Sequence, residues 1–215
     1  GVSYDYRLTN SFVLSQLQSE SIDTAEVMHV YKGFYYSSSN QPGAVNVITR
    51  KRFDREPLTR IRFYQAPDDE GFLDIYFNRL ITKKLNLTLD LTNNSVISRY
   101  ENSGAGGWKA SGRLDYLLFK KFTVSANYRY YRLENDLNGG VDLDSIRNAD
   151  NVLTPEEILY DPLIAPVKSN SRYQRNLRHF FSFEISSKLV KNAPLRIIAY
   201  RDYEANKYRQ NLDLS

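Results

Sequence analysis

Cysteine is absent from this chain of 215 residues, and methionine and tryptophan each occur once. The absence of cysteine excludes a disulfide framework and thiolate metal sites. No stretch approaches the roughly 18 consecutive apolar residues of a membrane-spanning helix, so a helical membrane protein is excluded. A membrane β-barrel is not excluded, because only alternate residues of its strands face lipid and the mean hydropathy, here −0.53, stays low.

Motifs that carry catalysis or bind cofactors are also missing. There is no Gly-rich phosphate loop and no Gly-x-Ser-x-Gly elbow, and His29 and His179 lie far apart without metal-ligand spacing. Asp142, Asp144 and Asp150 could hold Ca²⁺ through oxygen ligands, or they form a solvated acidic loop. We therefore expect no enzyme, no cofactor and no bound metal. The net charge of +4 is small and dispersed, which argues against nucleic acid as a partner.

Aromatic residues are abundant, with 17 tyrosines and 11 phenylalanines. Tyrosine joins an apolar ring to a hydroxyl that prefers water, so it suits a boundary between the two phases. The chain starts at Gly1, its one methionine is Met28, and it has no signal peptide. We expect it to be an excerpt of a longer polypeptide.

From about Thr59 onward, apolar and polar residues alternate with the period of a β-strand. Over residues 85–92, for example, leucine occupies each odd position and Asn, Thr or Asp each even one. Neighbouring strand residues point to opposite faces, so each strand has one apolar and one polar wall. Phe180 breaks the alternation of its strand. The pattern predicts seven strands, over 59–65, 72–81, 85–98, 108–118, 122–133, 172–189 and 195–210.

The lengths of these strands and of their connections favour a membrane barrel over a soluble sandwich. A tilted strand needs about 9–11 residues to cross a bilayer, and several of the predicted strands reach or exceed that length. Short turns at the periplasmic rim and long loops at the outer rim are typical of transmembrane barrels. Tight connections at 82–84, 119–121 and 190–194 alternate here with longer ones at 65–71, 99–107 and 134–171.

The longest predicted loop contains a helix signal. Thr154, Pro155 and Glu157 match a capping box with proline at the first helical position. The spacing predicts a short helix at about 155–160, which Asp161-Pro162 would end. A loop of this length in a compact protein is usually functional or disordered.

The region before Thr59 contains two short motifs. Residues 22–33 read IDTAEVMHVYKG, and residues 42–51 read PGAVNVITRK. Together they resemble the end of the plug domain of TonB-dependent outer-membrane receptors, in which I-E-x-I-E-V-x-(K/R)-G and G-G-x-(I/V)-N-(I/V)-(I/V)-(T/S)-(K/R) precede the barrel. The matched positions include Gly33, Gly43, Asn46 and Thr49.

The resemblance implies an all-β fold, an antiparallel transmembrane β-barrel portion of about seven strands from a 22-stranded barrel, preceded by the end of a plug domain. Residues 1–55 would be the C-terminal part of the plug, and residues 56–215 the first barrel strands. The family lies in the bacterial outer membrane, in contact with its lipid. It imports small-molecule nutrients (iron chelates, cobalamin or glycans) with energy relayed by TonB, through a segment that would precede Gly1.

The motif residues have a structural interpretation. Gly33 and Gly43 would allow turns or close backbone approach, and the Asn46 amide would satisfy backbone groups. Ligand contact is the alternative for each of them.

Other candidates would face a lumen or a ligand. Arg113, Arg129 and Arg178 would line the lumen and meet the plug or an anionic solute, whereas in a soluble sandwich they would be plain surface. Tyr35, Tyr36, Tyr100 and Trp108 are candidates for aromatic ligand contacts, with membrane-girdle positions as the alternative for Tyr100 and Trp108.

Three functions fit these patterns. The first is a plugged outer-membrane receptor that binds a nutrient at long loops and imports it. The second is a passive porin-like or structural barrel with a degenerate plug. The third is a soluble all-β binding module, in which the apolar faces would pack on a second sheet instead of lipid.

Overall fold

The computed structural model describes residues 18, 22–29, 43–49, 53, 55–67, 70–97, 99–119, 121–148, 153–190 and 193–210. It forms two compact units, residues 1–54 and residues 55–215.

The described part of the first unit is an antiparallel strand pair. Strand β1 spans Ile22–His29 and strand β2 spans Gly43–Thr49. Glu26 lies opposite Asn46, and the Asn46 side-chain amide donates to the Glu26 carboxylate at 3.0 Å. Strand β2 therefore coincides with most of the second motif, residues 42–51. Strand β1 was not expected from the sequence, because its residues do not alternate cleanly.

The second unit is one seven-stranded antiparallel sheet in which every strand pairs with its neighbours in the chain. Such an up-and-down order needs only hairpin connections, which the turns of the sequence supply. The strands are β3 Leu58–Ala66, β4 Glu70–Thr82, β5 Leu85–Val96, β6 Ala105–Phe119, β7 Phe122–Asp136, β8 Tyr173–Val190 and β9 Ala193–Arg209.

The predicted strands are confirmed, with ends that differ by three residues or fewer. Most of the differences lengthen a strand, because the backbone ladder continues past the last alternating residue, whereas β5 and β9 end slightly before their predicted ends and β8 begins one residue later. Strand β7, for example, extends through Glu134 to Asp136, which pairs with Tyr173 at the start of β8. Charged side chains interrupt the apolar alternation there without ending the hydrogen-bond ladder.

The two faces of the sheet are inverted relative to a water-soluble protein. On one face Asp74, Asn78 and Asn86 are fully buried, each with 0% exposure. On the opposite face Ile61 and Leu89 are 66% and 45% exposed. In a soluble sheet the apolar side would be covered and the polar side wet. We name these faces the polar wall and the outward apolar face.

The connections at the two rims of the sheet, where the strands begin and end, differ in length. The connections β4–β5, β6–β7 and β8–β9 leave two residues each between strands. At the opposite rim, β5–β6 is joined by residues 97–104 and β7–β8 by residues 137–172. The connection β3–β4 was expected to be long, but β3 ends at Ala66 and β4 begins at Glu70. Its strands stay paired almost to the tip, with Ala66 opposite Glu70.

The described residues of the long β7–β8 connection include two six-residue helices, and a strand bridge joins its two ends. Helix α1 spans Leu143–Asn148 and helix α2 spans Pro155–Tyr160. An isolated bridge pairs Val141 with Val167 below them. Helix α2 has the predicted bounds and the complete capping box, whereas α1 was not expected from the sequence. Neither described helix is long and apolar enough to span a membrane.

The inverted faces give a direct test at Leu89, in the middle of the outward apolar face. Replacing it with arginine places a charge against hydrocarbon if that face meets lipid, which costs about 2–4 kcal/mol near the bilayer midplane. The matched control is Leu153→Arg in the long connection, because Leu153 is 47% exposed and Leu89 45%. Its expected cost is within about 0.5 kcal/mol, as for an ordinary surface substitution.

Both variants are compared by urea-dependent folding of the full-length protein into lipid vesicles. Equal, small effects of the two substitutions would show that Leu89 faces water.

Candidate functional site: the polar wall and the outer loop cluster

The polar wall is held together by ion pairs between neighbouring strands. Arg60 on β3 donates to Asp74 on β4 through Nη2 at 2.9 Å. Arg178 on β8 makes a two-pronged contact with Asp202 on β9, with Nε and Nη2 at 3.0 and 2.8 Å from its two oxygens. Such parallel bonds fix the planes of both groups as well as their distance. The wall is therefore cross-linked strand to strand by charged side chains.

Neutral hydrogen bonds fill the space between these pairs. The Asn78 amide donates to Thr88 Oγ1 at 2.8 Å, and Asn86 lies beside both. On β6 and β7, Ser125 Oγ donates to Asp115 at 2.5 Å. Buried polar groups are costly unless they are bonded, so this network offsets part of the cost of burying a polar face.

The predicted lumen arginines all lie on this wall. Arg113 donates through Nε to both Asp115 oxygens, at 2.9 and 2.8 Å. Arg178 belongs to the pair with Asp202, and Arg129 stacks over the Phe180 ring at 5.8 Å. Each of these three guanidinium groups therefore contacts another side chain of the polar wall. The strand register places six cationic and six acidic side chains on this wall: Arg60, Arg62, Lys109, Arg113, Arg129 and Arg178, and Asp74, Asp90, Asp115, Glu184, Asp202 and Glu204.

The break in alternation at Phe180 has a physical explanation. Its ring lies on the polar wall, where it is 4% exposed, between Arg129 and Tyr200. A guanidinium over an aromatic face gains from the ring quadrupole while the ring stays dry. The irregular residue is therefore part of the wall's packing.

Two connections at one rim bind each other and form what we call the outer loop cluster, residues 97–104 and 137–172. Asn102 has φ of 49°, a left-handed conformation that Asn tolerates. Its amide donates to the carbonyls of Ser169 and Arg172 at 3.2 and 3.0 Å. The Asn138 amide donates back to the Glu101 carbonyl. Tyr100 OH donates to the Leu159 carbonyl at the end of α2. The long connection is thereby fixed on its neighbour.

Both helices of the cluster begin with carboxylate contacts that shift pKa values. At α1, Asp142 accepts the Ser145 hydroxyl and then backbone N–H groups of Ser145 and Asp144, which lowers the pKa of its carboxyl. At α2, the backbone N–H and the hydroxyl of Thr154 donate to Glu157 and lower the pKa of that carboxyl. Asp142 and Glu157 are therefore each hydrogen-bonded to residues in the first turn of the adjacent helix.

A cavity of about 790 Å³ lies beside the outer loop cluster. Strand β7 contributes three lining residues, Arg132, Glu134 and Asp136. They are every second residue of the strand, so they lie on the same face as Tyr128 and Tyr130. Trp108 of β6 lies opposite Arg132 and also lines it, and Pro162 and Leu163 border it from the long connection. The cavity therefore opens on the outward side of the sheet.

The structure locates the remaining candidates. Gly33, Tyr35 and Tyr36 lie outside the described residues. Gly43 begins β2 opposite His29, and Thr49 ends it opposite Ile22. The described Asn46 bond reaches a side chain, that of Glu26, where a backbone partner was expected.

Among the aromatic candidates, Tyr100 lies in the connection between β5 and β6 and lines the cavity. Trp108 lies on the outward face, as a girdle residue would. In the described ranges, no group of three His, Cys, Asp or Glu residues is placed to hold a metal ion.

Comparisons with known proteins show a related fold. No protein-family model and no curated protein sequence matches the chain. Its structure is similar to the crystal structure of the siderophore receptor PirA from Acinetobacter baumannii, with a TM-score of 0.61 and 20% sequence identity over 89% of this chain. The chain spans 28% of that receptor chain. The all-β fold is confirmed: the seven-stranded sheet has the architecture of part of a receptor barrel.

The ion pairs of the wall differ in burial, and we expect their contributions to stability to differ accordingly. Arg178→Ala leaves the buried Asp202 carboxylate unpaired, which costs about 3–5 kcal/mol. The control is Arg196→Ala, because Arg196 binds Glu184 at 2.6 Å with 53% of its own side chain exposed; water screens this guanidinium group, so its loss should cost about 1 kcal/mol or less. Denaturant unfolding of the full-length protein in detergent measures both; a similar small loss for the two variants would contradict the buried network.

The outer loop cluster should loosen in acid. Glu157 and Asp142 have lowered pKa values, so their stabilisation is present above the ordinary values of 4.5 and 3.8 and is lost as the pH falls through the lowered ones. Hydrogen exchange over residues 143–160, corrected for the intrinsic rate, should show less protection near pH 3 than at pH 7. Glu157→Gln should remove most of this pH response at α2. If the pH dependence of protection at α2 is unchanged in that variant, a group other than Glu157 causes it.

Proposed function

We propose that this chain is part of a bacterial outer-membrane receptor, which binds a small nutrient at its outer rim and imports it with energy from TonB. The observation that carries the proposal is the inverted sheet, with a buried polar wall and an exposed apolar face. Six of its seven strands have 12–18 residues, more than the roughly 9–11 that cross a bilayer.

Lipid is the partner that this sheet requires. In the hydrocarbon core, backbone groups must be bonded within the protein, which a continuous antiparallel ladder provides. Side chains on the outward face then meet acyl chains, and the polar side chains turn inward to bond one another. The alternative of a soluble binding module would need a second sheet over the apolar face, and Ile61, Phe63 and Leu89 are exposed in this structure.

The rims give the orientation in the membrane. Tight turns mark the periplasmic end of barrels, and long loops the outer end. The turns at Lys83-Lys84 and Lys121 would then lie in the periplasm, where cationic side chains can reach phospholipid headgroups. The outer loop cluster would face the medium, where a nutrient is first met.

A receptor explains the outer loop cluster better than a passive pore does. An open pore needs no long connection fastened by Tyr100, Asn102 and Asn138 to its neighbour, whereas a binding surface gains from such preorganisation. The plug-like motif at 22–51 supports the same choice. The PirA structure is that of a siderophore receptor, so an iron chelate is the first nutrient class to test, followed by cobalamin and glycans.

The experiment uses the full-length protein and its gene deletion strain. A folded barrel should migrate differently on detergent gels before and after boiling, and cells carrying it should take up a ferric chelate only when TonB is present. The loop variant replaces residues 142–166 with a short glycine-serine link, because the Val141–Val167 bridge holds its two ends together. We expect chelate binding to fall at least tenfold while the gel shift remains.

Each alternative has its own outcome. Uptake that continues without TonB identifies a passive pore. A protein that stays in solution without detergent and shows no gel shift contradicts the barrel itself.

A further inference from the structure

The floor of the cavity described above contains an exposed indole ring. Trp108 is 44% exposed, and the strand register places Asn93 on one side of it and Arg132 on the other. All three residues line the cavity. Asn93 Nδ2 donates to the Gly107 carbonyl at 3.0 Å, and Arg132 Nε donates to Glu134 at 2.9 Å. The ring is therefore bordered by an amide and a guanidinium group that are each held by a hydrogen bond.

The next row toward the loop rim leaves a gap beside this ring. It consists of Ser95, Gly106 and Glu134, which share the outward side with Trp108 and also line the cavity. A Cβ atom added at Gly106 would meet no atom closer than 3.6 Å, so the glycine leaves open space there. Residues two apart on a strand lie on one face, so this space adjoins the indole. A flat molecule can therefore lie over the floor between the Ser95 hydroxyl and the Glu134 carboxylate.

The outer loop cluster supplies the walls of the cavity. Residues 99–104 border it from one connection, and Pro162 and Leu163 border it from the other. Tyr100 OH donates to the Leu159 carbonyl at 3.3 Å, which joins the two connections. The volume of about 790 Å³ falls in the range of roughly 300–1,000 Å³ that is usual for small-molecule sites. The outward face thus carries a bordered cavity at this rim, of a size that suits a small ligand.

The charged groups of the lining favour a ligand without negative charge. Three carboxylates, those of Glu101, Glu134 and Asp136, accompany two guanidinium groups, those of Arg99 and Arg132. The lining is therefore acidic, and it disfavours a ligand that carries phosphate or carboxylate groups. Strong acceptors and strong donors are both present, together with amide and hydroxyl groups. A ligand with many hydroxyl groups can use this mixture, because each hydroxyl both donates and accepts.

We propose that this cavity binds a saccharide, neutral or bearing an amino group, with one face of a sugar ring on Trp108. The C–H groups on one face of a pyranose ring are apolar and slightly positive, whereas the face of an aromatic ring is negative. The hydroxyl groups at the edge of the sugar would meet the planar amide, guanidinium and carboxylate groups around the indole. A metal ion fits less well, because the described residues include no group of three His, Cys, Asp or Glu placed to hold one.

This site goes beyond the proposed function. The cavity opens on the outward side of the sheet, whereas the polar wall, along which a solute would pass through a barrel, is on the opposite side. A saccharide bound here would therefore not be the imported nutrient. The site depends on the strand register and on the two connections, and not on TonB.

A membrane-girdle role for Trp108 alone is the competing explanation. A girdle residue places its ring among lipid headgroups, so it needs neither a glycine beside it nor walls of loop residues. Tyr116 provides the matched comparison, because it lies on the same strand and the same face and is 40% exposed. Tyr116 is not part of the cavity lining. A girdle role alone predicts no effect of either residue on sugar binding.

The experiment measures sugar binding to the full-length protein by saturation-transfer NMR, in a detergent without a sugar headgroup. The probes are β-1,4-linked trimers of glucose, glucosamine and glucuronic acid. The glucose and glucosamine trimers should bind with dissociation constants of about 1 mM or lower, and the glucuronic acid trimer about tenfold more weakly. Saturation should be strongest at the C–H protons of one sugar face, which would lie against the indole.

Four variants assign the binding to the cavity. Trp108→Ala should weaken binding about tenfold or more, whereas Trp108→Phe retains an aromatic face and should weaken it less than about threefold. Gly106→Leu keeps every charge but fills the space beside the indole, and it should weaken binding severalfold. The control, Tyr116→Ala, should leave binding unchanged.

Three results would overturn the saccharide site. These are no saturation of the glucose and glucosamine trimers, equal losses in Trp108→Ala and Tyr116→Ala, and tighter binding of the glucuronic acid trimer than of the other two. The gel shift on boiling is recorded for every variant. A protein that shows the shift but binds no trimer refutes only this site, whereas a protein that binds the trimers without the shift refutes the barrel and keeps the site.

Discussion

The structure depends on one constraint, the alternation of side chains along strands whose backbone groups are bonded only to one another. In this sheet the period of two separates polar from apolar side chains as it does in soluble proteins, but the buried side is the polar one. Asp74, Asn78 and Asn86 are fully covered, whereas the leucines at the odd positions of β5 are exposed at Leu89 and half-buried at the other three positions. Ion pairs and amide contacts make that inversion possible, because an unbonded carboxylate on the wall would cost several kcal/mol.

From this constraint the two rims acquire different roles. At one rim, the strands are joined by tight turns of two residues each. At the other edge, the connection 137–172 is long enough to form helices, yet it is held by bonds from Tyr100, Asn102 and Asn138. The cluster is thus an ordered surface on a stiff wall, which is how binding loops are commonly presented. Arg132, Glu134 and Arg175 lie on the outward face near this cluster, so charged side chains occur on both faces of the sheet at the loop rim.

Local patterns made most of the fold predictable from the sequence. Strand alternation gave seven strands, and the Thr154–Glu157 capping box gave α2, because both depend on residues close together in the chain. Pairs such as Arg113 with Asp115, or Arg132 with Glu134, could also have been predicted, since residues two apart on a strand share a face. Helix α1, the bond between Tyr100 and Leu159 and the outward cavity depend on contacts between distant segments, and composition does not determine these.

The central claim is that the outward apolar face meets lipid, and strand β5 offers the most direct measurement. The chain contains no cysteine, so single cysteines at positions 85–92 of the full-length protein can carry a spin label without competing sites in this segment. In reconstituted vesicles, accessibility to oxygen dissolved in the bilayer should be high at the odd positions and low at the even ones, with a period of two. Odd positions that respond instead to a water-soluble relaxation agent, with no response to dissolved oxygen, would contradict the account.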